Sequence, residues 1–386
     1  MEDKLTFEEL YAAYLLCVKN KKKKNGTYDF VNDELCQNLI ILLDELNNRT
    51  YVPKASNCYV ITDPALREIY AAQFSDRIVQ HFYMSQINDI LDDSLVDSCS
   101  SCRVGKGTDY ALGLLKKYIM EVSDYGKKDC YYLKIDLSGY FMTIDRKQVS
   151  DKFYNLIDTK YKGKHKNLLL YLTSIIFKNN PSLNCNYKCS NTIRNIIPDR
   201  RKLNKDSRFG MAIGNLAAQA ASNLNLNDFD KFVINDLNLN KYLRYVDDIV
   251  IISNDKNKLI NSLFIIKDKL KESNQLINKK KTKINTVYTG VSFLGKITYP
   301  YGYQKPSKKV IIRTYNKGYN IKYNNINNLI SKVNSQIGSL KRYNCKKLII
   351  NYSKIVLDRS NDIYFDINKL IFKKIYNLYK KTTLFI

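Results

Sequence analysis

Apolar residues recur at helical spacing near the start of the chain, at Phe7, Leu10, Tyr11, Tyr14 and Leu15 and again at Leu39, Ile40, Leu43 and Leu46, which predicts helices over 7–18 and 33–47. An extended segment, NCYVITDPALREIYA, follows, and then a helix over about 75–90. YYLKIDLSGYF at 131–141 alternates as a strand does and ends in a turn, after which Val149, Phe153, Leu156 and Ile157 return to helical spacing. KYLRYVDDIVIIS at 241–253 reads as two strands rich in Val, Ile and Tyr, meeting at two adjacent carboxylates. Together these elements predict an α+β layer whose sheet carries polar residues at one end.

Beyond about Tyr299 the pattern changes. Ile326, Leu329, Ile330, Val333, Ile337 and Leu340 keep helical spacing, and another helical pattern starts near Cys345. This predicts a separate helical bundle, joined to the rest by the turn-rich TYPYGYQKPS. Residues 158–208 are basic, contain Pro181 and Pro198, and hold one apolar helix, NLLLYLTSIIF; their remainder reads as a surface insertion. No internal repeat is visible.

Composition sharpens this picture. With 386 residues, 45% of them apolar, the chain has room for a sizeable core divided among two or three subdomains. No run reaches the roughly 18 apolar residues of a membrane span, and MEDKLTFEEL is acidic where a secretory leader is basic. The expectation is a cytoplasmic protein without a membrane partner. Nine cysteines in such a chain point to free thiols, and the wide gap between Cys99–Cys102 and Cys185–Cys189, with two histidines in all, argues against a zinc site. Lys and Arg outnumber Asp and Glu by 63 to 37, a net charge of +26. Heavy use of Lys, Asn, Ile and Tyr gives part of that surplus without function. Its distribution says more, since residues 301–386 hold 18 Lys and Arg against three Asp. A polyanionic partner, nucleic acid, fits that asymmetry. The cluster KNKKKKNG at 19–26 reads as a solvated loop or a phosphate contact.

Asp247 and Asp248 pose a chemical problem. Adjacent carboxylates within an apolar hairpin repel each other and lose hydration, so a chain that keeps both needs cations beside them. Hard divalent ions, which prefer oxygen ligands, are the natural partners. Asp136 ends a second apolar strand and is the best further carboxylate. Three such acids suit in-line phosphoryl transfer with two ions roughly 3.5–4 Å apart.

Those residues resemble the palm of reverse transcriptases: YVDD in an apolar hairpin, KIDLSGYF upstream and VSFLGKI downstream. The likeness continues in order through ITDPALREIYAAQFSDRIVQH, SCRVGKGTDYAL, GMAIGNLAAQAASNLNLN and NKKKTKI, across roughly residues 7–345. Within the family, IGN, RIVQH, CRVGKGT and VNSQIGSLKRYN look like diversity-generating retroelement reverse transcriptases and their bacterial antiviral defence relatives. Ala212 and Ala218 depart from that group, which usually has Pro and Ser there.

The resemblance implies an α+β right-hand polymerase fold: an N-terminal helical segment (1–58), fingers (59–130), palm (131–157 and 209–298), a basic insertion (158–208) and a basic helical thumb (299–386). It implies RNA-directed DNA polymerase activity, with catalytic and metal-binding Asp136, Asp247 and Asp248 and the Leu137 backbone. The metal is expected to be a pair of Mg²⁺ ions, with Mn²⁺ as an in vitro substitute. Nucleotide contacts fall to Arg67, Arg103, Lys106, Phe141, Ile213, Gly214, Gln219 and Lys281, with Phe141 where the family blocks a ribose 2′-hydroxyl. Lys281 is either a general acid for pyrophosphate release or a surface lysine. Primer and template contacts fall to Tyr245, Phe293, Leu294, Gly295, Asn334, Lys341 and Arg342. Expected partners are dNTPs, a dedicated noncoding RNA template, the cDNA and its RNA–DNA hybrid, and an accessory protein or second reverse transcriptase subunit. The rival reading is a non-catalytic RNA-binding scaffold that keeps the fold.

Overall fold

The computed structural model describes residues 4–19, 30, 34–62, 66–203 and 208–375. The basic cluster at 20–26 and Asp63, Pro64 and Ala65 of the extended segment lie outside the described residues. The chain forms two compact units, one of Met1–Gly107, Leu133–Ile251 and Lys256–Ile284, the other of Thr108–Tyr132, Ile252–Asp255 and Asn285–Ile386. Thr108–Tyr132, which the sequence boundaries put largely with the fingers, thus groups with the second unit.

Up to Thr286 the described strands are β1 (Ser56–Ile61), β2 (Arg67–Ala71), β3 (Tyr131–Asp136), β4 (Cys185–Tyr187), β5 (Tyr242–Tyr245), β6 (Asp248–Ser253) and β7 (Lys283–Thr286). They form two sheets, a four-stranded one in the order β5-β6-β3-β7 and a three-stranded one in the order β2-β1-β4. β3 sits inside the larger sheet, which explains its near-continuous apolar run: Tyr132, Leu133 and Ile135 are all fully buried. The helix Phe74–Asp92 buries Ile78, Val79, Phe82, Tyr83 and Ile87. Tyr83 bonds Thr173 across 2.8 Å, and Phe153 stacks on Phe177 with ring centroids 4.2 Å apart, tying the helices Arg146–Lys160 and Lys166–Lys178 to it. Within 158–208 the structure is more integrated than a surface insertion, because β4 pairs in parallel with β1.

The second unit carries β8 (Val291–Phe293), β9 (Lys296–Thr298) and β10 (Gln304–Pro306), in the order β10-β9-β8. The β8–β9 turn places Leu294 at φ 44° and Gly295 at φ 85°, and a Cβ on Gly295 would fall 2.8 Å from the Tyr343 hydroxyl, so only glycine fits. The helices Lys308–Tyr319, Ile326–Lys341 and Lys346–Leu357 follow, on a core of Leu329, Val333, Ile337, Leu348 and Tyr352.

The bundle also contains a hairpin that helical periodicity does not reveal, β11 (Ile363–Asp366) against β12 (Ile371–Lys374). Asn334 holds it. Its side-chain amide donates to the Phe372 carbonyl at 2.9 Å and accepts from the Phe372 N–H at 2.7 Å. Asn334 therefore completes the edge of β12 and is engaged within its own unit. Asn334→Ala strands two backbone groups, a loss of about 1–3 kcal/mol. Thermal unfolding should show a clearly lowered midpoint, with proteolysis opening first in 360–375; an unchanged midpoint counts against this clamp.

Candidate active site

β5 and β6 pair Tyr242 with Ile251, Leu243 with Val250, Arg244 with Ile249 and Tyr245 with Asp248, which leaves Val246 and Asp247 as a two-residue turn. Val246 has φ 58° and Asp247 has no positive φ, the pattern of a type II′ turn. That position favours glycine, and a β-branched residue there costs roughly 1–3 kcal/mol. The hairpin thus presents Asp247 at its tip at the expense of local strain.

β3 delivers Asp136 to the same place. The N–H of Leu137 donates to the Asp247 carbonyl at 3.4 Å, and the Asp136 carbonyl accepts from the Asn278 N–H at 2.7 Å. Asp136 is 8% exposed, and its carboxylate takes the Lys281 ammonium at 3.0 Å on both oxygens and the Asn278 amide at 3.1 Å on Oδ2. Asp248 turns differently: its Oδ1 lies 3.6 Å from Lys134 Nζ. Burial pushes the Asp247 carboxyl up to about 6, and the charges of Asp248 and Asp136 push the same way. Burial also raises Asp248, against the opposing pull of Lys134. The three acids are therefore electrostatic neighbours, partly neutralised by two lysines.

Beside them opens a cleft of about 290 Å³. Asp136 and Asp247 form its acidic side, Arg67, Arg200, Arg201 and Lys281 its basic side, and Phe141, Leu137 and Ile213 are among its apolar lining residues. Phe141 stands edge-on to Tyr140, centroids 5.5 Å apart, and its carbonyl accepts from the Met211 N–H at 2.7 Å. Ile213 accepts from the Tyr70 N–H at 2.9 Å, which lays GMAIGN along β2. Gly214 is needed for that approach, since with φ 121° its Cβ would stand 2.9 Å from the Tyr70 carbonyl oxygen.

Other predicted residues lie elsewhere. Arg103 is structural in this conformation: its guanidinium pairs with the Asp92 carboxylate and donates to the carbonyls of Val96 at 2.8 Å, Cys99 at 2.9 Å and Asp92 at 3.0 Å, leaving the side chain 6% exposed. Lys106 meets Asp97 Oδ1 at 2.6 Å. Arg103, Lys106 and Gln219 line a second cavity of about 500 Å³, and none of them lines the cleft of the acids. Tyr245 is half-buried opposite Asp248 in the hairpin. In the second unit Phe293 is 1% exposed, Lys341 reaches the Lys369 carbonyl at 3.4 Å and Arg342 is exposed. Sequence reasoning missed Lys134, Asn278, Arg200 and Arg201. Asn278 was findable as the polar residue opening the NKKKTKI segment; nothing local marks Arg200 and Arg201.

The donor set suits a hard divalent cation: the carboxylates of Asp136 and Asp247, with Leu137 lining the same cleft. Among the described residues no group of three or more His, Cys, Asp or Glu is arranged to hold a metal ion as it stands. Lys281 and Lys134 engage Asp136 and Asp248 instead.

The raised Asp247 carboxyl fixes a sign. A folded-state value of about 6 against 3.8 means that the folded form holds the proton more tightly. The stability this contributes is complete below pH 3.8 and is lost as pH rises through about 6. With metal removed by EDTA, Asp247→Asn should therefore be more stable than the parent at pH 7.5, by on the order of 1–3 kcal/mol, with the gain vanishing near pH 4. Equal midpoints at pH 7.5 would contradict the electrostatic assignment.

The family profile described as reverse transcriptase (RNA-dependent DNA polymerase) matches residues 52–298. No curated protein matches the sequence. Among solved structures, the chain is similar to apo telomerase from Candida tropicalis truncated from its C-terminal domain, at 13% identity over 66% of this chain and 56% of that one, with a TM-score of 0.48. It is also similar to telomerase from Candida albicans in complex with a TWJ fragment of telomeric RNA, at 10% identity over 80% and 54% of the two chains, TM-score 0.46. The chain thus matches about half the length of these proteins. Among the described residues, no helix is long and apolar enough to cross a membrane.

Proposed function

This chain belongs to the reverse transcriptase family of RNA-dependent DNA polymerases, nucleotidyltransferases with a right-hand fold, and from that premise we propose that it copies RNA into DNA at the cleft of Asp136 and Asp247. The observation that carries the reading is the bond from Leu137 to Asp247, which seats the ends of two strands, each bearing an acid, beside a wall of arginines.

Reverse transcriptases use divalent metal ions. Here Asp136, Asp247 and the Leu137 carbonyl, with Asp248 beside them, would hold Mg²⁺, two ions in all with Mn²⁺ as a substitute, which would lower the pKa of a primer 3′-hydroxyl and neutralise charge developing on the phosphoryl group. Arg67, Arg200 and Arg201 bind the triphosphate of the incoming dNTP by charged hydrogen bonds. Phe141 closes the ribose side of the cleft against a 2′-hydroxyl. Lys281, 3.0 Å from Asp136, would release that carboxylate when a metal binds and would protonate the leaving pyrophosphate. The basic second unit holds the RNA–DNA hybrid by its phosphates without reading sequence, through exposed cations such as Lys341 and Arg342. In its biological setting we read the enzyme as a cytoplasmic one of a bacterial retroelement or antiphage defence system. Its template is then a dedicated noncoding RNA, and an accessory subunit is a candidate partner.

Primer extension on an RNA template should require dNTPs and a divalent ion and disappear in Asp247→Asn; undiminished synthesis by that variant refutes the assignment. In the same assay, Arg200→Ala and Arg201→Ala should each raise the KM for dNTP roughly 10- to 100-fold, because a lost hydrogen bond between charged groups is worth about 1.5–3 kcal/mol. A KM unchanged in both removes them from the triphosphate site.

A further inference from the structure

Asp247 sits in its turn only because Val246 adopts a backbone conformation that valine disfavours. Left to itself, the Val246 peptide would relax toward the extended region and rotate the following carboxylate out of the cleft. Hydrogen bonds engage both sides of this residue. The Val246 N–H donates to Ser101 Oγ at 3.2 Å, and the Val246 carbonyl accepts from Arg244 Nη1 at 3.2 Å.

Both partners are fixed from below. Arg244 and Ser101 have no exposed surface. The Arg244 Nε and Nη2 atoms donate to the two Asp230 oxygens at 2.7 and 2.6 Å, and Nη2 also donates to the Asn223 carbonyl at 3.0 Å. Tyr242 donates its hydroxyl to the same Asp230 carboxylate, and that carboxylate holds the guanidinium firmly charged despite its burial. Ser101 Oγ donates to Asn223 Oδ1 at 3.0 Å, and the Asn223 amide returns a bond to the Ser101 carbonyl at 2.7 Å. The Arg244 backbone closes the ring, its N–H on the Ser98 carbonyl and its carbonyl accepting from the Ser100 N–H, each at 3.1 Å.

We infer that Arg244 and Ser101 are positioning residues of the polymerase site, which hold the Val246 peptide left-handed from both sides and thereby aim the Asp247 carboxylate. An ion pair without exposed surface is poor value as plain stabilisation, since an apolar pair of similar volume often serves as well. This one delivers a fixed donor to one strained carbonyl. Three chain segments, 98–101, 223–230 and 242–246, meet at that peptide, so the aim of Asp247 depends on parts of the chain that never touch substrate.

The inference rests on the polymerase reading, and its test separates the two. Wild type, Ser101→Ala and the double variant Ser101→Ala/Val246→Gly are compared by steady-state primer extension, thermal unfolding and methyl NMR of Val246 in the first two. Ser101→Ala removes one anchor with little change of volume. The kcat should fall roughly 10- to 100-fold, the scale of a slight misplacement of a catalytic group. The KM for dNTP should stay within about twofold, while the melting midpoint falls modestly because the Val246 N–H and Asn223 Oδ1 each lose a partner. Glycine tolerates the left-handed turn unaided, so Val246→Gly in the same background should restore most of the lost kcat. The Val246 methyl resonances should shift in Ser101→Ala whether or not the protein polymerises. A Ser101→Ala variant with wild-type kcat and unmoved methyl resonances overturns the inference, as does failure of the glycine to rescue. An inert wild type whose methyl signals nonetheless move on Ser101→Ala defeats the polymerase reading and leaves the anchoring of Val246 standing.

Discussion

Everything at this site depends on bringing like charges together. Asp136 arrives from the end of β3, Asp247 from the β5–β6 turn and Asp248 from the start of β6, and for Asp247 and Asp248 burial and the neighbouring carboxylates both oppose ionisation. Backbone hydrogen bonding supplies the force that overrides this. The sheet order β5-β6-β3 fixes where the strand ends fall, and the Leu137 to Asp247 bond ties them at the last residue. Lys281 and Lys134 then reduce the repulsion. A site assembled this way is electrostatically unsatisfied, and that deficit would favour a divalent cation there.

The hairpin was readable from sequence because its signal is local. Val, Ile and Tyr flank the acids on both sides without an intervening glycine or proline, which points to a tight turn, and the structure puts Asp247 in that turn and Asp248 at the start of β6. β3 and the long helices were readable for the same reason of short-range periodicity. Arg103 shows where this fails. Its motif matches the family, yet its guanidinium is engaged by Asp92 and three carbonyls, a neighbourhood built by the chain's return and invisible in the motif. Arg200 and Arg201 are the converse case. They sit in a basic stretch that reads as a surface insertion, and only the pairing of β4 with β1 and the turn at Gly139, whose Cβ would meet the Arg200 carbonyl oxygen at 3.3 Å, show that the stretch folds back onto the cleft.

Asn334 carries the same lesson into the second unit. Helical spacing identified the helix Ile326–Lys341 and its apolar face, and left Asn334 to be read as a polar residue available to a groove. The β11–β12 hairpin was hidden because its strands are four residues each, too short for a convincing alternation beside helical neighbours. Once that hairpin exists, its edge needs donors and acceptors, and an amide on the adjacent helix supplies both. The polar residue was placed for the fold, which on the proposed reading leaves exposed lysines and arginines as the candidates for phosphate contacts.

Strain and charge at the cleft are linked through one residue. A glycine in place of Val246 would relieve the turn and make the anchors dispensable, whereas valine needs them to hold the positive φ. The Arg244–Asp230 pair can be fully desolvated because each of its partners is itself held by a second bond, so no component can relax without unpairing another. Rigidity at the tip is therefore obtained from buried polar geometry in the layer beneath, and on the proposed reading the carboxylate offered to metal and nucleotide is aimed by residues that touch neither.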